Sequence, residues 1–115
     1  MLPVEPLAGY EAVRLRESVM HAVIRKYTGA SDVVAEARSK LSHLEQTMRG
    51  VPGFVAYYFL ETDDGVATIT IADDEVGTTE SMSRAANWVQ ENLESRSALG
   101  SPEVTTGEVL ISATR

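Results

Sequence analysis

The sequence predicts a single α+β domain whose elements follow the order β-α-β-β-α-β. Two segments repeat apolar residues at helical spacing, and four shorter segments are rich in β-branched and aromatic residues. One of those strands is apolar on both faces and therefore needs a cover on each side. With right-handed crossovers, this order gives a four-stranded antiparallel sheet with two helices on one face, the ferredoxin-like arrangement.

Composition supports one globular domain and excludes several classes of function. The 115 residues carry ten Lys and Arg against seventeen Asp and Glu, a net charge of −7, which disfavours binding to nucleic acids and anionic membranes. The absence of cysteine excludes disulfides, thiolate metal sites and a cysteine nucleophile. No apolar run reaches the roughly 20 residues of a membrane span, and the first residues lack the features of a signal peptide. We therefore expect a cytoplasmic protein.

Residues 1–19 are predicted to be an N-terminal extension that is either poorly ordered or packed on a partner. Pro3, Pro6 and Gly9 interrupt regular structure there. The domain proper is predicted to span residues 20–115, with Met20 at or near the natural start. Its first strand is predicted over 21–28, where β-branched and aromatic residues concentrate.

The first helix is predicted as one continuous element over about 31–49. Ser31 is a candidate N-cap, Asp32 favours the positive end of the helix dipole, and Gly50 closes the helix. Its apolar residues gather into one stripe: Val33, Val34, Ala37, Leu41, Leu44 and Met48.

The second and third strands are predicted to form a hairpin. A turn at Pro52 and Gly53 leads into the second strand, which runs to about Thr62. Asp64-Gly65 suits the positive φ values of a two-residue hairpin turn, and residues 66–72 form the next strand.

Alternation divides the second strand into two apolar rows, one facing the helices and one facing away. The rows are Phe54, Ala56, Tyr58 and Leu60 on one side, and Val55, Tyr57 and Phe59 on the other. Because a monomer avoids a large exposed apolar patch, we predict a homodimer that joins the two sheet faces.

The last part of the chain supplies a second helix and a fourth strand. The helix is predicted to begin between Asp74 and Thr79, followed by a loop over 95–102 and a strand over 103–112. The buried stripe of this helix is predicted to be Met82, Ala85, Ala86, Val89 and Leu93.

Four segments together resemble the dimeric α+β barrel superfamily, and within it the antibiotic biosynthesis monooxygenase-like family. They are HAVIRKY from residue 21, GVPGFVAYY from residue 50, RAANWVQENL from residue 84 and GEV from residue 107. The resemblance covers residue 20 to the C-terminus. It implies a barrel at the centre of a homodimer, often with a pocket between sheet and helices in each subunit. Members include cofactor-free oxygenases of aromatic compounds, haem-degrading enzymes, isomerases and proteins with no established reaction.

The haem-degrading branch relies on an Asn in the first strand and a His on the second helix. Here the only asparagines are Asn87 and Asn92, and the histidines are His21 and His43, so haem degradation is disfavoured. The quinone-forming branch needs polar aromatic and amide groups around a pocket. This sequence contains residues of those types, but they do not match the residues of that branch one to one. The reaction that the resemblance implies uses no cofactor.

Three residues are candidates for a catalytic base. His21 is one, because an imidazole suits acid–base chemistry near neutral pH, although the end of a strand often faces solvent. Tyr57 and Tyr58 are the others. As neighbours on a strand they face opposite sides, so one of them lines the pocket and the other faces the dimer partner.

Four further residues are candidates for the pocket. Trp88 is either a wall that stacks on a flat ligand or a packing residue, and Asn87 is either a pocket amide or a surface one. Arg25 and Tyr27 share a strand face, where Arg25 could balance an enolate or carboxylate or pair with a carboxylate of the partner subunit. The acidic clusters 63–64 and 73–75 lack the spacing of a metal site and are interpreted as solvated loops.

Three functions stay open from sequence alone. The first is a cofactor-independent oxygenase of an aromatic or enolic small molecule. The second is a non-catalytic, dimeric ligand-binding or stress-associated barrel that holds a small hydrophobic compound. The third is an interaction module with a filled core.

Overall fold

The computed structural model describes residues 19–29 and 31–115, and it confirms the predicted α+β class. The elements are β1 (His21–Thr28), α1 (Ser31–Arg38), α2 (Leu41–Arg49), β2 (Phe54–Thr62), β3 (Gly65–Ala72), α3 (Glu75–Asn92), a 3-10 helix (Glu94–Ala98) and β4 (Glu103–Glu108). The strands form one antiparallel sheet in the order β2-β3-β1-β4. The predicted extension falls almost entirely outside the described residues. No helix in the described ranges is long and apolar enough to cross a membrane.

The helices cover one face of the sheet, called here the inner face. The core between them contains Val33, Ala37, Leu44, Met48, Val51, Ala85, Trp88 and Leu93, with Phe54, Tyr57 and Phe59 of β2 packed against it. The other face, called here the outer face, has no helix of the described chain packed on it.

The first predicted helix is two helices, so the prediction of one continuous element was wrong. Ser39 and Lys40 separate α1 from α2. The Ser39 hydroxyl donates to the Glu36 carbonyl oxygen at 2.8 Å, and the Lys40 amide donates to the Ala37 carbonyl oxygen at 2.9 Å. These bonds span three residues and tighten the chain out of α-helical geometry. Leu41, predicted to be buried, is 42% exposed just after the break.

The Glu36 carboxylate caps the 3-10 helix in a segment that the sequence predicted to be a plain loop. It accepts hydrogen bonds from the Glu94 amide (2.8 Å), the Ser95 amide (3.0 Å) and the Ser95 hydroxyl (2.6 Å). The Lys40 ammonium lies 3.7 Å away. These donors, the Ser95 hydroxyl first, lower the pKa of Glu36 to about 2. The ionised carboxylate therefore fastens the 3-10 helix to α1.

Glu36→Gln is expected to lower the free energy of unfolding at pH 7. Because the folded pKa is depressed, the carboxylate stabilises the fold fully above its ordinary value of 4.5, and this stabilisation is lost as pH falls through about 2. Urea unfolding of both proteins between pH 7 and pH 2 should show a difference that shrinks as the pH falls. Glu91→Gln, at an exposed position of α3, is the control and should match wild type throughout. A Glu36→Gln deficit that stays constant with pH would contradict this account.

A β-bulge at the start of β2 changes the predicted division of that strand. Phe54 pairs with Ala72 and Ala56 pairs with the adjacent Ile71, which leaves Val55 as the extra residue. Phe54 therefore packs on the core together with Tyr57 and Phe59. The prediction that Phe54 shares a face with Tyr58 and Leu60 was wrong, because simple alternation cannot anticipate an inserted residue.

The β2–β3 hairpin forms as predicted, although its glycine has a different role. Asp63 and Asp64 connect the strands, and Gly65 is not among the described glycines with positive φ, which are Gly29 and Gly53. A Cβ on Gly65 would lie 2.0 Å from the Tyr27 carbonyl oxygen. Gly65 is therefore required by the close approach of β1 rather than by the turn.

Helix α3 confirms part of its predicted buried stripe, because Ala85 and Leu93 are buried in the core and Val89 packs against it. The Asp74 carboxylate caps it by accepting from the Gly77 amide at 3.2 Å, within the predicted range for the start. Ala86 is exposed, which corrects its assignment to the buried stripe. The buried residues are Gly77, Thr78, Ser81, Ala85 and Trp88.

The fourth strand ends at Glu108, four residues before the predicted end. The apolar residues Leu110 and Ile111, expected inside it, are 92% and 85% exposed. Burial against the described part of this chain therefore does not explain why these two residues are apolar.

Candidate functional site

A cavity of about 30 Å³ lies between the inner face of the sheet and the helices, close to the middle of the core. Most of its wall is apolar, supplied by Val33, Leu44, Phe59, Val66, Ala85, Trp88, Val89, Leu93 and Leu99. Four polar side chains complete the wall: Arg25, Tyr27, Tyr57 and Thr68. A space of this size holds about two water molecules. An apolar cavity with a few convergent polar groups is the usual form of a small-molecule site, although such sites are normally larger.

Arg25 is the most unusual of these polar residues, because it is a charged side chain that is only 4% exposed. It lies in the middle of β1 and pairs in register with Thr68 of β3. No acidic side chain within residues 19–29 and 31–115 forms an ion pair with it. Its Nε and the hydroxyls of Thr68 and Thr70 are buried without a hydrogen-bond partner in that same part of the chain. A buried guanidinium is costly unless it is paired.

Tyr57 and Tyr58 have separate positions, and the structure decides which is which. Tyr57 lines the cavity, whereas Tyr58 lies on the outer face and is 54% exposed. Burial raises the pKa of Tyr57 to about 12, which the nearby Arg25 guanidinium counteracts and the neighbouring Tyr27 reinforces. The Tyr57 hydroxyl therefore keeps its proton at neutral pH, where it can donate a hydrogen bond but is a poor base.

Trp88 forms one wall of the cavity and is only 3% exposed, so it is both a packing residue and a pocket residue. Its indole Nε1 donates to Nδ1 of His43 on α2 at 2.9 Å. The two rings lie 6.3 Å apart between centroids, tilted by 33°. Acceptance at Nδ1 requires the neutral tautomer with hydrogen on Nε2. His43 is itself exposed, and it accepts the hydrogen bond of the buried indole N–H.

Two of the candidate residues lie away from the cavity. His21 opens β1 and its Nδ1 lies 2.6 Å from the Thr78 hydroxyl. It stands four residues before Arg25, which corresponds to about 13 Å along a strand. Asn87 is exposed on α3 and does not line the cavity, in contrast to the pocket position considered for it. Of the three candidates for the base, only Tyr57 reaches this space.

A groove of about 440 Å³ adjoins the cavity, between α2 and the edge strand β2. Leu44, Tyr57 and Phe59 line both spaces and form the partition between them. The mouth of the groove carries Glu45 and Arg49, which form an ion pair at 2.9 Å. Movement of the partition side chains would join the two spaces into one pocket large enough for an aromatic ring system.

The part of the chain that the structure describes contains no group of three or more His, Asp or Glu residues placed to hold a metal ion. The acidic residues 73–75 are exposed, and Asp74 caps α3. Within this part of the chain, the cavity-lining side chains also include no imidazole and no carboxylate.

Sequence reasoning missed several residues of the site. Thr68 and Thr70 were interpreted only as strand formers, yet both turn buried hydroxyls toward the helices. The sequence did contain a signal for this, because Thr68 and Thr70 are two positions apart on a strand and therefore share a face. No local signal could identify His43, because its partner lies 45 positions away.

No protein-family model matches this sequence, and the search of curated proteins found no match. Solved structures are similar. NE2512, a protein of unknown function from Nitrosomonas europaea, has a TM-score of 0.67 and 14% identity over 86% of this chain and 97% of that one. Rv0793 from Mycobacterium tuberculosis has a TM-score of 0.61 and 19% identity over 83% of this chain and 99% of that one.

A third similar structure is a monooxygenase from the gene ActVA-Orf6 of Streptomyces coelicolor, in complex with the ligand nanaomycin D. Its TM-score is 0.56, with 18% identity over 90% of this chain and 97% of that one. At such identities the likeness establishes the fold alone. This chain therefore shares the fold of these structures, one of which is a monooxygenase.

Proposed function

We propose that this protein is a cofactor-independent oxygenase of an electron-rich aromatic or enolic small molecule, which binds between the sheet and the helices. The observation that carries this proposal is the cavity itself, where a buried guanidinium and a protonated phenol face otherwise apolar walls. Such a site favours an anionic substrate and keeps bulk water away from it. The nanaomycin complex of a monooxygenase with this fold supports the same class of ligand.

The chemistry needs no cofactor, because oxidation of a CH₂ group of the substrate to a carbonyl supplies the four electrons that reduce O₂. A CH₂ group next to the aromatic or enolic system loses a proton, and the resulting anion reduces O₂ and forms a carbon–oxygen bond. The hydroperoxide at that carbon then loses water and leaves a carbonyl, so one oxygen atom enters the product and the other enters water. Arg25 would stabilise the anion electrostatically, and Tyr57 would donate a hydrogen bond to the developing oxyanion. The first proton passes to water in the pocket, and the peroxide anion takes a proton back from that water to become the hydroperoxide.

Substrate entry requires the partition of Leu44, Tyr57 and Phe59 to move, since the cavity alone holds only water. The groove supplies the remaining volume and opens between α2 and β2. Tyr57 would then stand at the junction of the two spaces, beside the bound ring.

Oxygen consumption with a panel of quinols and anthrones tests the proposal. We expect O₂ uptake by the wild-type protein and a loss of about 100-fold in Tyr57→Phe, the usual cost of removing one oxyanion donor. Tyr58→Phe is the matched control, because Tyr58 borders the groove but not the cavity and is 54% exposed, so the variant without its hydroxyl should retain activity. No turnover of any compound by the wild type, or equal turnover by both variants, would contradict the proposal.

A second candidate function is ligand binding without catalysis. It is favoured by the absence of an imidazole or carboxylate among the described residues that line the cavity. In that case the same compounds would bind and raise the melting temperature without oxygen uptake.

We also infer that two subunits pair through their outer faces. Ile24, Tyr58 and Leu60 are 37%, 54% and 43% exposed there, and Ile69 and Ile71 continue the patch between them. Burying these side chains stabilises a dimer by roughly several kcal/mol per subunit. A cytoplasmic location, and an extension over residues 1–19 that is either poorly ordered or packed on a partner, stay predictions from sequence.

Light scattering at micromolar concentration is expected to give twice the chain mass of 12.5 kDa. Tyr58→Asp, which places a charge in the patch, should weaken the dimer by about 100-fold or more. Val76→Asp is the control, because Val76 is 70% exposed on α3, away from the outer face. A wild-type monomer, or equal masses for wild type and Tyr58→Asp at every dilution, would exclude this interface.

A further inference from the structure

We infer that the ligand of the cavity carries a carboxylate, which binds to Arg25 and is assisted by the hydroxyl of Thr68. This inference rests on the proposed function for the location of the site and names the chemical class of the compound that it takes. The class is an aromatic carboxylic acid.

The first argument is charge. Arg25 is almost completely buried, and its Nε has no partner within residues 19–29 and 31–115. The four ion pairs found there involve Arg38, Lys40, Arg49 and Arg84 instead. Although the chain carries an excess of seven negative charges, none of its described carboxylates lines this cavity. A guanidinium cannot lose its proton at physiological pH, so its counter-charge must come from elsewhere.

The second argument is the arrangement of donors. Arg25 and Thr68 are directly paired across β1 and β3, and both line the cavity. The Thr68 hydroxyl is buried without a partner in the described chain. A planar guanidinium matches a planar carboxylate in a two-bond geometry, and the free hydroxyl can donate one more bond. Phosphate is a poorer match, because it brings about two charges to a site with one.

The third argument concerns the source of the anion. Arg25 faces the helices, together with the cavity-lining Tyr27 and Tyr57. A partner subunit on the outer face cannot reach it through the sheet, so the pairing with a partner carboxylate considered from sequence is not available in that dimer. The apolar walls around the polar group suit the aromatic body of the same ligand.

Isothermal titration with 2-naphthoate and 2-naphthamide tests the inference, because the two probes share shape and differ in charge. Wild-type protein is expected to bind 2-naphthoate about tenfold or more tightly than 2-naphthamide. Arg25→Met should remove this preference while retaining 2-naphthamide binding, and Arg25→Lys should keep part of it. Equal affinity of wild type for both probes, a preserved preference in Arg25→Met, or no binding of either at millimolar concentration would each overturn the inference.

Stability without ligand gives an independent readout. If Arg25 awaits an external anion, Arg25→Met should be at least as stable as wild type in urea, because it removes an unpaired buried charge. A marked loss of stability in Arg25→Met would show that Arg25 has a structural partner, and the inference would fail. Oxygen uptake is measured separately, so a protein that binds 2-naphthoate without turnover would refute the proposed oxygenase and leave the carboxylate site standing.

Discussion

Gly65→Ala is expected to destabilise the fold by about 3 kcal/mol, a large share of the stability of a domain this size. The new Cβ would lie 2.0 Å from the carbonyl oxygen of Tyr27 and 2.9 Å from its carbonyl carbon. Both atoms belong to the backbone of β1, so no side chain can rotate away to relieve the clash. The two central strands, β1 and β3, would have to separate at the end of their ladder, where Gly65 pairs with Thr28.

Urea unfolding followed by circular dichroism measures this effect. Gly100→Ala is the matched control, because a Cβ at Gly100 has no atom within 4 Å, and its stability should stay within about 0.5 kcal/mol of wild type. Equal midpoints for the two variants would show that β1 and β3 are not as closely apposed as described. Because Tyr27 also lines the cavity, Gly65→Ala should weaken ligand binding as well.

Trp88→Ala is expected to cost about 3–5 kcal/mol of stability, which makes it unsuitable as a simple test of ligand stacking. Its side chain is almost fully buried in the core, and truncation would enlarge the cavity. Trp88→Phe is the better probe, since it keeps an aromatic ring in most of the volume while it removes the indole N–H. Thermal and urea unfolding should show that Trp88→Phe loses clearly less stability than Trp88→Ala.

A double-mutant cycle separates the hydrogen bond from the packing. Combining Trp88→Phe with His43→Ala should give a coupling energy of about 1 kcal/mol, because the bond to His43 Nδ1 is absent in each single variant. His43→Ala alone leaves the buried indole without its acceptor, whereas His43→Gln offers an amide oxygen in its place and should recover part of the loss. Additive effects in the cycle would mean that the bond contributes nothing to stability.

The dimer and the ligand site depend on different parts of the molecule. The dimer rests on the outer face, and the oxygenase and the carboxylate site both rest on the cavity beneath the inner face. Tyr57 lines the cavity and Tyr58 does not, although both border the groove. The dimer can therefore fail without affecting the ligand site, and oxygen uptake measured apart from binding distinguishes the oxygenase from the carboxylate site.

Sequence alone determined the order of the four strands and which of them are joined through helices, the antiparallel hairpin and the need to cover both faces of β2. These features follow from local periodicity and turn chemistry, which short stretches of chain carry by themselves. Alternation also required Tyr57 and Tyr58 to face opposite sides, without indicating which one faces the helices.

Only the tertiary structure decided the rest. The break at Ser39, the bulge at Val55 and the choice of Tyr57 for the cavity depend on how helices and strands meet. The grouping of Arg25 with Thr68, and of Trp88 with His43, joins residues more than 40 positions apart. Strand register and helix packing bring such residues together, and neither is encoded in the spacing of neighbouring residues. The strand pattern therefore placed Arg25 on a face, and the fold alone showed that it is buried there without a described partner.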